Sequence, residues 1–445
     1  MKILIRGGRV IDPSSGLDAL ADVAIASGRI VHVIANSAAN SAAADFAAEQ
    51  VIDATGLIVA PGLVDLAARL REPGQEHVGM LESELAAAAA GGVTSLVCLP
   101  DTDPVLDEPG LVEMLKARAR KLSRCRVFPL GALTRNLEGK ALTEMVQLTE
   151  AGCIGFAQVD APVRDHLVLL RALQYAATFG YSVWLHPLDA WLGGGVAASG
   201  ALATRLGLSG VPVQAETIAL YTVLELVRAT GARVHLCRLS SAAGVALVRA
   251  AKAEGLPVTA DVSINSLHLT DIDIGYFNPD MRLTPPLRQG ADREALRQAL
   301  ADGTLDALVS DHNPVADDMK ILPFGEAEPG ATGLELLLSL ALRWGSDSGL
   351  PLAQTLARVT GDPVRVLGDA LGSLASSAGR LVVGGVADVC VFDPNAQWRV
   401  TPDQLHSQGK HTPFAFAATG MALPGRVRAT LVAGRVAFEA PPGAD

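Results

Sequence analysis

The sequence predicts an α/β chain: a parallel (β/α)8 barrel carrying a small β domain assembled from both chain ends. Three observations carry this. Eight short apolar runs alternate with amphipathic stretches of helical length through the middle of the chain, the grammar of repeated βα units. Strand-like segments bounded by Gly and Pro occupy both ends, and neither end has enough strands to bury a sheet face alone. The 445 residues exceed one ordinary core of roughly 150 residues but suit a barrel of about 250 residues with an appendage.

The elements follow in chain order. Strands are expected at 3–5, 9–11, 23–25, 30–34 and 51–52, with Pro13, Gly16 and Gly28 at the bends. The Ala-, Asn- and Ser-rich stretch 36–50 reads as a surface loop or short helix. Barrel strands are expected at 63–66, 95–99, 126–130, 154–157, 182–186, 233–236, 257–262 and 307–310, with helices among them at 81–90, 111–122, 167–179, 215–229 and 243–253. Strands return at 380–383 and 388–392 and in a hairpin over 426–438 that turns near Gly434. The expected domains are therefore 1–56 with 380–445, a composite β-sandwich, and 57–379, the barrel. A doubly wound sheet is the alternative, but no GxGxxG follows the early strands.

Composition removes several classes of function. Hydrophobic residues make up 49% and charged residues 19%, which excludes a mostly disordered chain. A net charge of −11 without a basic run argues against a nucleic-acid groove, whose affinity depends on phosphate neutralisation. No apolar run approaches the roughly 18 residues of a membrane span, and the start has no signal-type apolar region. The five cysteines are scattered without a CxxC pair, so they read as thiols of a reducing, cytoplasmic compartment.

Several segments carry a resemblance. PGLVDLAARLREPG over 61–74 is followed by AGGVT over 90–94, LPDTDP over 99–104, LTPPLR over 283–288, SDHNP over 310–314 and ADVCVFDP over 387–394. In this order, and across nearly the whole chain, they resemble the dihydroorotases of the amidohydrolase superfamily. The resemblance implies an amidohydrolase-type barrel with a zinc centre at the carboxyl ends of its strands.

At the positions that the family uses for metal, this chain departs. The family's first strand reads Asp-x-His-x-His, two imidazoles on one face of a strand. Here those places are Ala67 and Arg69. A methyl group has no lone pair, and a guanidinium has only donors and stays protonated. Where strand four supplies a bridging carboxylate or carbamylated lysine, the alignment offers Gln158 and Val159, with Asp160 as the alternative if the register slips. Strand five keeps His186; the ligand histidine of strand six is Arg238, and His235 reads as a packed strand residue. Strand eight keeps Asp311, the family's general base, followed by His312, but Val315 replaces the second histidine.

A dication 4 Å from one guanidinium at an effective dielectric near 20 meets about 8 kcal/mol of repulsion. Arg69 and Arg238 together would oppose most of the ~10–16 kcal/mol of a complete zinc site. No metal and no cofactor are expected, and the two arginines are expected to neutralise Asp311 instead. Arg71 matches the family arginine for the substrate carboxylate, and Asn265 follows strand seven; both read either as residual ligand-binding groups or as structural partners. Asp101, in place of the family's asparagine, would repel a dicarboxylate. His186 and His312 read as satisfied polar core groups.

The resemblance further implies a function without catalysis. Dihydroorotase homologues lacking the histidines assemble with the catalytic chain of aspartate carbamoyltransferase, in a dodecameric hetero-oligomer bridged by homodimers of the barrel. Two alternatives stay open. One is an amidohydrolase with single-metal or metal-independent activity, using Asp311 as base and His186 or His312 to polarise the substrate. The other is a noncatalytic sensor of pyrimidine intermediates that binds at Arg71 and Asn265.

Overall fold

A computed structural model describes residues 1–35, 46–415 and 421–441. Most of the 36–50 stretch thus lies outside the described residues. The barrel strands, numbered here from one to eight, are Leu63–Ala68, Val93–Cys98, Arg126–Pro129 continued by Gly131–Ala132, Phe156–Val159, Ser182–Leu185, Arg233–Leu236, Val258–Ser263 and Ala307–Val309. All successive pairs are parallel. The third strand is broken at Leu130, whose N–H reaches back to the Cys98 carbonyl at 2.9 Å, so its first piece pairs with strand two and its second with strand four. Ala68 bridges to His312 and closes the ring.

The interior is filled by side chains from alternate strand positions, among them Val64, Leu66, Val97, Ala157, Trp184 and Val309. Strands one and two are buried along their whole length because helices cover the other face, which explains why they read as unbroken apolar runs. Helix ends match the sequence signals. Asp165 caps His166–Phe179 and Ser241 caps Ala242–Glu254, and both helices end on a left-handed glycine, Gly180 or Gly255.

At the closing seam, Asp65 is fully buried and accepts the Ser310 N–H at 2.9 Å and the Ser310 hydroxyl. Burial pushes its carboxyl up to about 6. A carboxyl raised on folding takes up protons in the folded state first, so stability falls as pH rises from the unfolded value near 3.8 through 6. Asp65→Asn is expected to gain on the wild type by up to about 3 kcal/mol between pH 4 and pH 7, measured by urea unfolding.

The chain ends form one eight-stranded sheet, the composite sandwich domain. Its path runs Arg435–Glu439, Ala422–Val432, Val389–Arg399, Ile58–Pro61, Lys2–Asp12, Leu17–Ala26, Arg29–Ala35, with Gln50–Asp53 parallel to the first half of Lys2–Asp12. Ile3, Ile5, Val23, Ile25, Val391 and Leu431 lie in its core. Three expectations need correction. The segments 3–5 and 9–11 are one strand with a bulge between Ile5 and Gly8, where Gly7 takes φ 74° and gives its N–H to Asp22. Ile58–Pro61 pairs with both chain ends, so the sheet reaches past the boundary drawn at residue 56. Residues 380–383 are irregular: Leu381 N–H goes to the Asp12 carboxylate, and the paired Gly384 and Gly385 turn the chain against Ile30. No described helix is long and apolar enough to cross a membrane.

Candidate functional site

Asp160 is the centre of the polar cluster at the carboxyl ends of the strands. It accepts Arg69 Nη2 at 2.7 Å and Arg238 Nη2, and it meets His186 Nδ1 at 2.6 Å. Arg69 also donates from Nε to Asp101 at 2.6 Å. Arg238 donates from Nη1 to the Thr284 carbonyl at 3.1 Å and to Asp311 at 3.3 Å. Both guanidinium groups are buried, at 5% and 2% residue exposure.

This corrects the placement of strand four. The register shifts between Ala157 and Val159, and Val159 takes φ 51°, so Asp160 rather than Gln158 or Val159 enters the centre. Gln158 is turned away, accepting the Thr134 hydroxyl at 2.9 Å and donating to the Leu137 carbonyl at 2.8 Å. Val159 forms part of the wall. The two arginines also divide their work: Arg238 alone hydrogen-bonds Asp311, while Arg69 joins Asp101 to Asp160. Asp101 is therefore already neutralised and does not stand as a bare repulsive charge.

Left-handed backbone occurs at Arg71 (φ 62°), Val159 (51°), Arg238 (55°) and Asp311 (50°), at the ends of strands one, four, six and eight. Such conformations in non-glycine residues cost roughly 1–3 kcal/mol each and gather at active centres. Asp261 of strand seven steadies one of them, taking the Arg238 N–H at 2.6 Å.

Electrostatics fixes protonation in the cluster. Burial alone would raise Asp160, but the Arg238 and Arg69 charges and the His186 hydrogen bond outweigh it and hold the carboxyl well below its ordinary range. An ionised Asp160 accepts only, so His186 donates from Nδ1. Asp311 is raised by burial, against the pull of Arg238 and Arg69.

His312 faces away from this centre. Its Nδ1 accepts the Gly333 N–H at 3.2 Å, which leaves Nε2–H to donate to Glu84 at 2.8 Å, with both side chains fully buried. Glu84 in turn accepts the Ser407 hydroxyl and the Gln408 N–H, joining the barrel to residues near the C-terminal strands. His312→Ala is expected to cost about 2–3 kcal/mol, the range for a buried hydrogen bond to a charged group, read as a lowered urea midpoint.

Arg71 is held in a closed set of bonds. It donates from Nε to Pro314 O at 2.9 Å, from Nη1 to Gln75 at 2.8 Å and from Nη2 to Asn313 at 2.6 Å, with Glu328 3.4 Å away. It thereby ties down the loop after strand eight. Asn265 is buried, and its Oδ1 has no partner among the described residues; no hydrogen bond joins it to Arg71. Beside the centre, a gap walled by Leu66, Ala67, Leu99, Trp184 and Arg238 amounts to about 10 Å³, room for about one water, and a cavity of about 170 Å³ opens on the other side of Val159 and His186.

Zinc does not fit these donors. Ala67 offers nothing, Arg69 and Arg238 present protons, and the Asp160 and Asp311 oxygens already accept from guanidinium groups. Among the described residues, donors converge within 4.8 Å at His235, Cys237 and Asp261. There His235 spends both ring nitrogens on Thr259 and Asp261, and burial pushes the Cys237 thiol well up. His235 is a packed strand residue, its ring 4.3 Å from that of Trp184.

A closed barrel, a sandwich from both chain ends and a polar centre at the carboxyl ends of the strands define an amidohydrolase-type architecture. The L-hydantoinase (dihydropyrimidinase) of Arthrobacter aurescens shares this fold, with a TM-score of 0.85 at 24% identity over 98% of this chain and 96% of that one. The family model described as Dihydro-orotase-like matches residues 56–243. A dihydroorotase-like protein of Pseudomonas aeruginosa is 45% identical over 440 residues, covering 99% of this chain and 100% of that one. A dihydroorotase of Anaeromyxobacter dehalogenans is 39% identical over 440 residues, covering 98% of each. The chain belongs to the dihydroorotase-like family of the amidohydrolase superfamily.

Proposed function

We propose that this chain is a noncatalytic dihydroorotase-like subunit that supports the assembly of aspartate carbamoyltransferase in de novo pyrimidine synthesis, itself as a homodimer. The observation that carries the reading is the ion-paired net of Arg69, Arg238, Asp101, Asp160 and Asp311 where the family places metal. Covalently attached positive charge stands in for a cation. The partner comes from the family resemblance. Exposed apolar side chains, such as Tyr221 at 62% on the barrel helix Gln214–Thr230 and Trp191 at 79% in the loop after strand five, suit a chain that is covered in an assembly.

Residual hydrolysis with Asp311 as base finds less support, because that carboxylate is engaged by Arg238 and Ser263. A sensor role would need Arg71 to exchange its present partners for a ligand. Co-purification tests the proposal: tagged chain is expected to bring down the transferase in a fixed ratio and to show no cyclisation of carbamoyl aspartate. A transferase fully assembled and active after deletion of this chain would contradict it.

A further inference from the structure

At the opposite end of the barrel lies a cavity of about 800 Å³, within the range of small-molecule sites. Its floor is the amino end of strand three, Arg126 to Phe128, and the last turns of the helix Pro109–Leu122. Its sides are two hairpin turns of the sandwich, at Ser27 with Gly28 and at Ala433 with Gly434, and the segment around Leu374. The turns pack so closely that a Cβ on Gly434 would stand 2.8 Å from the Gly28 Cα, which fixes the wall.

Five cations line this space, Arg29, Lys116, Arg120, Arg126 and Arg435, and no Asp or Glu does among the described residues. Asp388 balances Arg126, leaving an excess of four (five less one) in a chain whose net charge is −11. Lys116 is spent on the Ala151 carbonyl, and Arg29 reaches the Gly384 carbonyl through Nη1. The exposed guanidinium groups of Arg120 and Arg435 have no hydrogen-bond or ion-pair partner among the described residues. Complementing a helix dipole accounts for Arg120, in the last turn of its helix, but not for Arg29, Arg126 and Arg435, which come from other elements. A one-sign cleft with low-dielectric walls focuses its field on anions, and guanidinium forks match phosphoryl oxygens. Phe128, Leu374 and Val386 supply an apolar wall beside these charges. The acidic remainder of the chain disfavours a long polyanion.

We propose that this cleft binds a small organic polyphosphate, its phosphoryl groups held by Arg29, Arg120 and Arg435 and its apolar part set against Phe128 and Leu374. This is independent of the ion-paired centre and of the assembly reading.

The test is calorimetric titration of the full chain with adenosine triphosphate and, separately, inorganic tripolyphosphate at low salt. One saturable site is expected for each, tighter for adenosine triphosphate, and weakening about tenfold or more between roughly 50 and 200 mM salt. The double substitution Arg120→Ala with Arg435→Ala is expected to weaken both by about tenfold or more while leaving the thermal midpoint unchanged. Arg249→Ala, at a surface pair with Asp302, is the control and should leave affinity as it was. The proposal is overturned by absence of saturable heat, by weak multi-site attraction that the double substitution does not change, or by tripolyphosphate binding where adenosine triphosphate does not.

Discussion

Arg238→Met is expected to lower the unfolding free energy by about 3–5 kcal/mol at pH 7, the cost of leaving a buried charge without its partner. Methionine fills much of the same volume, so the loss reports charge rather than a void. Asp160 retains Arg69 and His186, but Asp311 loses the hydrogen bond from Arg238, the ion pair that holds it in the centre. The sign of the pH dependence follows from Asp160. A carboxyl held low on folding contributes stability above its unfolded value near 3.8, and that contribution is lost as pH falls through its lower folded value. Asp311, already raised, protonates more readily still in the variant. The deficit should therefore be full at neutral pH, begin to shrink as pH falls through the raised value of Asp311, and fade further below about pH 4 as Asp160 protonates. Chemical unfolding at pH 7 and pH 4 measures it; a deficit under about 1 kcal/mol at pH 7 would mean that the net is a surface-like ornament.

The second large effect is a gain. Replacing the three departed histidine positions of strands one and six, Ala67→His, Arg69→His and Arg238→His, is expected to take zinc content from background to stoichiometric. Two guanidinium groups that oppose a cation leave, three imidazoles arrive, and Asp160, His186 and Asp311 are freed to face the metal. About 10–16 kcal/mol is available from a complete zinc site, enough to offset the strain of new rotamers in a close-packed barrel. Elemental analysis of the purified variant, with cobalt substitution as a spectroscopic check, reads the result. A folded variant that stays free of metal would show that some other feature, such as the strand-four bulge, excludes the ion.

Much of this centre was legible from residue chemistry alone. Ala67, Arg69 and Arg238 declare what they cannot do, because a methyl group and a guanidinium have no lone pair in any fold. What stayed hidden depended on register. A one-residue slip reverses which face a strand residue serves, and the bulge at Gln158 and Val159 has no Gly or Pro to announce it, so Asp160 was given second place. The pairing of Asp101 with Arg69, and Glu84 as the partner of His312, stayed hidden for a different reason: each pair is far apart in sequence, and only closure of the barrel brings its members together. The sheet shows the same division. Alternation of apolar residues marked its strands, whereas Ile58–Pro61, an unbroken apolar run, read equally well as barrel and joined the sandwich. The irregular 380–383 segment has β-type residues, but Gly384 and Gly385 break the ladder after it.

The central claim is that fixed arginine charge has replaced the cation in an otherwise intact barrel. Anomalous diffraction at the zinc edge, on crystals of the native chain grown from zinc-supplemented protein, tests it most directly. Guanidinium density bridging Asp160 and Asp311 is expected, with no anomalous peak within coordination distance of either carboxylate. A fully occupied zinc ion beside Asp311, with Arg238 swung aside, would contradict it.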